Sequence, residues 1–361
     1  MKYAGEPQIF HKKFAFELLD DVTYIRDWDK GIKFLADAGI LENIILLLTG
    51  SDTVIIKEAR MRFPGRRGPA DKVDFLIHPL SFFEFIKLGR RFAEDELEIL
   101  RNHEAQDIAP LIDRLSKAFE RYLIHGGFLT AINDMEKKGA INPATLYTYS
   151  DWIRGDVLKK GKKEHYLRDI LSAVVNRYGS QVTWNALSKE LSIDHPQTVA
   201  DYVALLESMG VAFVQAAVLE DKLSASPKKA RKMMFTDPFI FHAVRAWLYP
   251  SKDPYTQQVK AALSDPLWPA RLAEACVATH YSRRYPTYYI KAKGEVDVAY
   301  VRQNRLWPIE VKWTTQIRPK DLKQVAKYTN SRILTRQRQS GEIMGIPTEP
   351  LPLALFRLGV N

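Results

Sequence analysis

Two apolar runs that stop at acidic or small polar residues, with a helical pattern between them, restrict the start of this chain to a strand, helix, strand unit. Residues 14–19 (FAFELL) lead into Asp20-Asp21, residues 44–48 (IILLL) lead into Thr49-Gly50-Ser51, and residues 29–38 carry an amphipathic period. Unbroken apolar strands suit a parallel sheet buried on both faces, and ligands of such sheets bind beyond the carboxyl ends of the strands. Asp20, Asp21, Thr49 and Ser51 all fall at those ends. Two acids after a strand either cap the next helix or hold a cation and polarise a water. Glu17 interrupts the first run, and a lone charge in a buried strand requires a partner. A further strand is expected over 73–77, followed through His78-Pro79-Leu80 by a helix whose start carries the capping box Ser81 to Glu84.

With 361 residues, 46% of them hydrophobic and 27% charged, the chain has material for two or three cores. The expected class is therefore α/β multidomain. An excess of 53 Lys and Arg over 43 Asp and Glu gives a net charge of +10, which favours nucleic acid as a partner and also serves plain solubility. Cys276 is the single cysteine, which excludes an internal disulfide and a Cys-based zinc cluster and suits a reducing compartment. No apolar stretch is long enough to span a bilayer. A cytoplasmic protein with no membrane partner is expected.

The segments Leu18-Leu19-Asp20-Asp21-Val22-Thr23-Tyr24, Leu48-Thr49-Gly50-Ser51-Asp52, Phe63-Pro64-Gly65-Arg66-Arg67-Gly68 and His78-Pro79-Leu80-Ser81-Phe82 together resemble prokaryotic and archaeal AAA-superfamily ATPases. The resemblance implies that Asp20 is the metal-associated carboxylate, that Asp21 stands where the family has a water-activating Glu, that Thr49 or Ser51 senses phosphate, and that Arg66 or Arg67 faces the phosphates. The family's phosphate-binding loop, GxxxxGK[ST], occurs nowhere in the sequence. The core is thus expected to be a partial P-loop NTPase, its ATPase activity impaired, with a truncated gene or gene model as the simplest explanation. ATP is expected as a cofactor only where that loop is supplied. AAA-type cores often work as rings, so the resemblance also implies a homo-oligomer.

Residues 92–160 are helical by pattern, with a break at Gly126-Gly127-Phe128, and read as the helical lid of such a core. His125 either touches nucleotide there or is structural. Three short helices follow over 166–177, 183–191 and 196–209, then a strand over 211–219, a basic loop over 222–232 and a return strand over 233–236. That order is a helix-turn-helix with a wing. Lys228, Lys229, Arg231 and Lys232 are the wing's candidates for nucleic-acid contact. The helix over 196–209 carries two acids and no Arg or Lys, so it presents little to phosphate.

Near the C-terminus, Gly294-Glu295-Val296-Asp297 and Pro308-Ile309-Glu310-Val311-Lys312 alternate as two strands around a turn at Gln303-Asn304. This hairpin sets Asp297 opposite Glu310 and Glu295 opposite Lys312, all on one face, with Val296, Val298, Tyr300, Ile309, Val311 and Trp313 on the other. Facing carboxylates repel unless a proton or cation sits between them. Mg²⁺ or Mn²⁺ would fit, with Lys312 as the catalytic group on the water or phosphate. The pattern resembles the PD-(D/E)xK nuclease core, and by that likeness Glu274, on an expected helix over 268–279, is the first metal ligand beside Asp297 and Glu310. Lys320, Lys323 and Lys327 share one face of an expected helix over 319–328, either to guide nucleic acid to the hairpin or as a solvated face.

The expected organisation is an incomplete AAA-like core over 1–91, a helical lid over 92–160, a winged helix over 161–237, and a restriction-endonuclease-like α/β domain with a basic tail over 238–361. The leading functional expectation is nucleic-acid processing with a metal-dependent, nuclease-like C-terminal domain. The alternative is a non-catalytic, nucleotide-linked DNA-binding regulator or an interaction scaffold.

Overall fold

In the computed structural model, residues 15–50, 56, 61–68, 73–103, 108–314 and 316–360 are described. The chain divides into two units, 1–77 and 78–361.

In the first unit, β1 (Ala15–Leu19) and β2 (Ile44–Leu48) pair in parallel, joined by a 3-10 turn (Val22–Tyr24) and α1 (Trp28–Asp37). The strand, helix, strand order expected from the sequence is present. Burial is not: Phe16 is 77% and Leu18 61% exposed, and Ile45 and Leu47 are open as well. Two strands with one crossover helix cover too little of either sheet face to bury it. Glu17 is accordingly exposed and needs no buried partner. The run 73–77 forms no strand, and Phe75, Leu76 and Ile77 are exposed. Strand propensity is realised only against a neighbouring edge.

The second unit begins at His78 because the next residues are held by its interior. The Tyr122 hydroxyl donates to Leu80 O at 2.7 Å, Leu80 N donates to Gly127 O at 2.9 Å, and Arg283 Nη1 donates to Pro79 O at 2.9 Å. The Ser81 to Glu84 capping box opens α2 (Phe82–Leu88), whose Phe82, Phe85 and Ile86 are buried. This helix falls in the second unit. Six more helices follow: α3 (Glu94–Asn102), α4 (Ala109–His125), α5 (Leu129–Lys138), α6 (Pro143–Lys159), α7 (Glu164–Asn176) and, after the short strand β3 (Gln181–Val182), α8 (Trp184–Glu190). Asn142 caps α6, with Pro143 at its first position, and Thr183 caps α8.

Gly126 and Gly127, the break after α4, are required by contact. A Cβ on Gly127 would lie 2.0 Å from Leu80 O and 2.4 Å from Leu80 N, both main-chain atoms. Gly127→Ala is therefore expected to destabilise by at least about 2–3 kcal/mol, read by thermal or urea denaturation. A neutral result would mean that the 78–81 segment can leave its seat freely. His125 is fully buried against Phe85 and Tyr122, and burial lowers its pKa to about 4. Its role is structural.

Beyond α8 come α9 (Pro196–Ser208), β4 (Ala212–Ala216), the two-residue strands β5 (Val218–Leu219) and β6 (Ser224–Ala225), and β7 (Arg231–Phe235). A three-stranded antiparallel sheet runs β3-β7-β4. The return strand thus begins at Arg231, so Arg231 and Lys232 belong to a sheet and not to a loop. Asp237 caps α10 (Pro238–Leu248) and also accepts from Gly127 N at 2.8 Å, which joins the glycine break to this helix. Burial raises the Asp237 pKa to about 6.

A π-helical turn (Tyr255–Lys260) runs into Ala261–Ser264 and then α11 (Leu267–Ser282), which is buried along most of its length, Cys276 included. The six-stranded sheet has the order β12-β13-β11-β10-β9-β8, with β8 (Thr287–Lys291), β9 (Glu295–Arg302), β10 (Arg305–Lys312), β11 (Arg332–Thr335), β12 (Gly341–Ile343) and β13 (Ile346–Pro350). β11 is parallel to both β10 and β13, the other pairs are antiparallel, and α12 (Leu351–Val360) closes the chain. The β9–β10 turn carries positive φ at Gln303 (51°) and Asn304 (55°), the conformation of a two-residue hairpin. Residues 319–327 form two short 3-10 turns, Pro319–Leu322 and Val325–Lys327, not one helix, so the expected shared lysine face does not exist. One core cluster runs from Phe82 to Leu358 and includes residues of α2, α4, α7, α11 and α12 together with Val298, Tyr300, Ile309, Val311 and Trp313.

Candidate functional site

At the strand ends of the first unit, Thr49 Oγ1 accepts the Asp21 N–H at 3.0 Å and donates to Asp20 Oδ1. Asp21 sits in the left-handed region (φ 53°), which turns the chain into the following 3-10 turn. A Cβ on Gly50 would lie 2.5 Å from Thr23 Cγ2, so a larger residue there would require the Thr23 side chain to turn. Arg66 pairs with Asp37, which raises the guanidinium pKa and lowers that of the carboxyl, and Arg67 pairs with Asp74. The structure thus brings Asp20, Asp21 and Thr49 together and gives both arginines carboxylate partners elsewhere in the unit. Ser51 lies outside the described residues.

The second acidic group is built around an irregularity in β9. Between the pairs Tyr288↔Ala299 and Ile290↔Val296, β8 advances two residues while β9 advances three. The extra residue is a β-bulge, a device that re-aims side chains. It breaks the strict alternation expected from sequence: Val298 and Tyr300 join the main core, whereas Val296 packs with Ile290, Ala299, Leu322, Val325 and Ile333 in a separate cluster. Asp297, inside the bulge, turns one oxygen to the backbone, where Oδ2 accepts the Val311 N–H at 2.8 Å. The β9–β10 ladder extends only to Val298↔Ile309, so this carboxylate satisfies an amide that the ladder leaves over.

A row of polar residues from the three-stranded sheet meets this bulge. Gln181, Lys232 and Gln215 are cross-strand neighbours on β3, β7 and β4. Gln215, fully buried, donates to Tyr288 O at 2.9 Å and to Asp297 O at 3.0 Å, and Gln181 donates to Glu295 Oε2. Between them, Lys232 is 1% exposed, with its Nζ 2.7 Å from Glu274 Oε1, 2.5 Å from Glu295 Oε1 and 4.0 Å from Asp297 Oδ1. Lys312 Nζ donates to Glu310 Oε1 at 2.6 Å. Four carboxylates and two ammonium groups therefore share one partly enclosed site.

The electrostatics follow from burial. Burial pushes the Glu310 carboxyl up to about 8, helped by Asp297 and opposed by Lys312. It pushes Glu274 up to about 7, opposed chiefly by Lys232. Burial also works against the Lys232 charge, but Glu274, Asp297 and Glu295 outweigh it and hold the ammonium protonated. Lys312 is held protonated in the same way by Asp297 and Glu310.

Glu274, Asp297, Glu310 and Lys312, the residues picked out as metal ligands and catalytic lysine, are thus neighbours. The ammonium of Lys232 stands among the acids, and among the described residues no group of three or more His, Cys, Asp or Glu is arranged to hold a metal ion. In this arrangement the Lys232 ammonium is the cation beside Glu274 and Glu295, and Glu310 Oε2 is buried with no hydrogen-bond partner among the described residues.

The four wing candidates separate. Lys228 is exposed, Lys229 Nζ donates to Lys291 O at 3.1 Å, the Arg231 guanidinium lies 4.4 Å over the Trp184 ring, and Lys232 is internal. Sequence reasoning assigned Lys232 to a solvent-facing loop because it ends a basic run, and it missed Gln181 and Gln215 altogether. The available signal was Gln215 itself, a polar residue inside the apolar strand AFVQA.

Three family models match parts of the chain: an AAA domain over residues 4–86, a domain of unknown function (DUF8612) over 116–250, and a second domain of unknown function (DUF4143) over 271–343. The first supports an AAA-like ATPase domain at the N-terminus. No curated protein matches the chain. Among solved structures, the crystal structure of protein VC1899 from Vibrio cholerae aligns at 10% identity over 96% of this chain and 89% of that chain, with a TM-score of 0.21, too loose a superposition to carry an argument. No helix among the described residues is long and apolar enough to cross a membrane.

Proposed function

We propose that this AAA-like, ATPase-related protein is a non-catalytic nucleic-acid-binding regulator whose C-terminal acidic centre joins two sheets rather than cleaving phosphodiesters. The observation that carries the reading is the Lys232 ammonium, 1% exposed and within 2.7 Å of both Glu274 and Glu295. A cation that is part of the chain, anchored on a strand and flanked by Gln181 and Gln215, balances the acids where a hydrolytic centre of this kind requires a divalent ion. The element order α7-β3-α8-α9-β4-β7 supports a winged-helix reading of the three-stranded part. A buried helix followed by three antiparallel strands and a parallel fourth supports a restriction-endonuclease-like reading of the rest. Nucleic acid is the partner that the net charge of +10 favours.

Incubation with duplex, branched and single-stranded DNA in 10-fold-varied Mg²⁺ or Mn²⁺ is the direct test. No metal-dependent cleavage is expected from the full chain. Cleavage that disappears in Lys312→Ala and Asp297→Ala would overturn the proposal in favour of a nuclease.

A further inference from the structure

Three loops that are distant in sequence meet at the rim of the acidic centre, and each brings exposed cations. Lys229 Nζ bonds Lys291 O at 3.1 Å and so fastens the loop before β7 to the end of β8. Gly294 N donates to Gln324 Oε1 at 3.2 Å, and Lys327 Nζ donates to the same oxygen at 2.8 Å, which fastens the β8–β9 turn to the 3-10 segment. The three segments, 227–231, 291–294 and 318–327, therefore form one surface. On it Lys228, Lys293, Arg318, Lys320 and Lys323 are exposed, and the side chain of none of them makes a hydrogen bond or ion pair with another described residue, Arg318 being engaged only through its carbonyl, which accepts from Asp321 N. Asp321 is the one exposed acid within these segments.

We propose that this three-loop rim is the surface that binds nucleic acid, through the phosphate backbone and without base readout. The inference rests on the proposed nucleic-acid-binding role and assigns its contact surface. Its physical basis is charge placement: of the four carboxylates Glu310 is 4% exposed and the side chains of Asp297, Glu274 and Glu295 are 16%, 20% and 34% exposed, and they are countered from within by Lys232 and Lys312. A polyanion crossing the rim meets cations held on three backbones, with the acids largely screened. A bilayer is disfavoured as partner, since no large apolar side chain is exposed on any of the three segments. The wing residue Lys228 and the segment around Lys320 and Lys323 act here as one surface, which their separation in sequence conceals.

The test uses the full chain and a fluorescently labelled DNA duplex, with the dissociation constant followed by anisotropy across a salt series. One variant carries Lys228→Glu, Lys293→Glu, Lys320→Glu and Lys323→Glu. A control with the same change in net charge carries Lys87→Glu, Lys137→Glu, Lys138→Glu and Lys252→Glu, all exposed positions outside the rim. A third variant replaces the four rim lysines by Gln, so that a folding defect of the reversal does not decide the outcome. The rim variants are expected to weaken binding about 100-fold and to reduce the slope of log affinity against log salt by about 3–4, with the control much less affected. Equal loss in rim and control variants, or no loss in the rim variants, overturns the surface assignment while the nucleic-acid-binding reading survives. Failure of the unaltered chain to bind duplex or single-stranded DNA at low salt overturns both. Tighter binding to vesicles of phosphatidylserine and phosphatidylcholine than to DNA overturns the assignment in favour of a membrane.

Discussion

Lys232→Ala is expected to lower the stability of the second unit by about 3–5 kcal/mol, because it leaves Glu274, Glu295 and Asp297 together without their shared cation. The lysine is 1% exposed, so solvent supplies little substitute screening. Urea denaturation of the two proteins at neutral pH measures the difference. Lys232→Met retains most of the buried stem and removes only the charge, and it is expected to destabilise by a similar amount. Combining it with Glu295→Gln should recover part of the loss, since one of the stranded carboxylates is then neutral. A change below about 1 kcal/mol in Lys232→Ala would show that the acids do not depend on this ammonium, and the proposed joint between the sheets would fail with it.

Stability is expected to fall as pH rises from about 6.5 to about 8, an unusual direction for this range. Glu310 and Glu274 have folded-state pKa values raised to about 8 and about 7, so the folded protein holds protons that the unfolded chain has released. Each such proton tilts stability by about 1.4 kcal/mol per pH unit, downward as pH rises, until the folded-state pKa is passed. The buried histidines act in the opposite sense at lower pH. His125 and His242 are lowered to about 4 and His280 to about 3, in each case first by burial, so the unfolded chain takes up protons that the folded one refuses. Their stabilising effect is complete above the ordinary histidine pKa near 6.5 and is lost as pH falls below it. His280 accepts the Phe82 N–H at Nε2 and faces Cys276 O with Nδ1, so the neutral Nδ1–H form is the one that fits. Between about pH 6.5 and 4.5 these histidines offset Glu310, Glu274 and Asp237, and below that range stability declines again. Denaturation midpoints measured from pH 4 to 9 test the profile. Glu310→Gln should flatten the alkaline limb, and an unchanged limb would remove Glu310 as its source.

Much of the local structure was legible because it obeys short-range rules. The Ser81 to Glu84 capping box, the Gln303-Asn304 turn with its register, and the helices following Lys163, Thr183 and His195 depend on residues a few positions apart. The same rules failed where cover from distant elements was the deciding factor. Residues 73–77 have the composition of a strand and form none, and Lys320, Lys323 and Lys327 have helical spacing on a segment that makes only two 3-10 turns. In the acidic centre, alternation set Glu295 opposite Lys312, whereas the β9–β10 ladder stops at Val298↔Ile309, Glu295 pairs with Lys291 on β8 and bonds Lys232, and Lys312 bonds Glu310; the β9 bulge was missed because no residue type announces one.

By itself the sequence determined the order of strands and helices, the hairpin register and the family likeness of the first segment, since periodicity, caps and turns act through neighbours along the chain. Only the tertiary structure decided which cation the acids would have. Lys232 reaches Glu274 across 42 residues, and Gln181 reaches Glu295 across 114. Coulomb energy depends on distance in space and on burial, and neither is written in spacing along the chain.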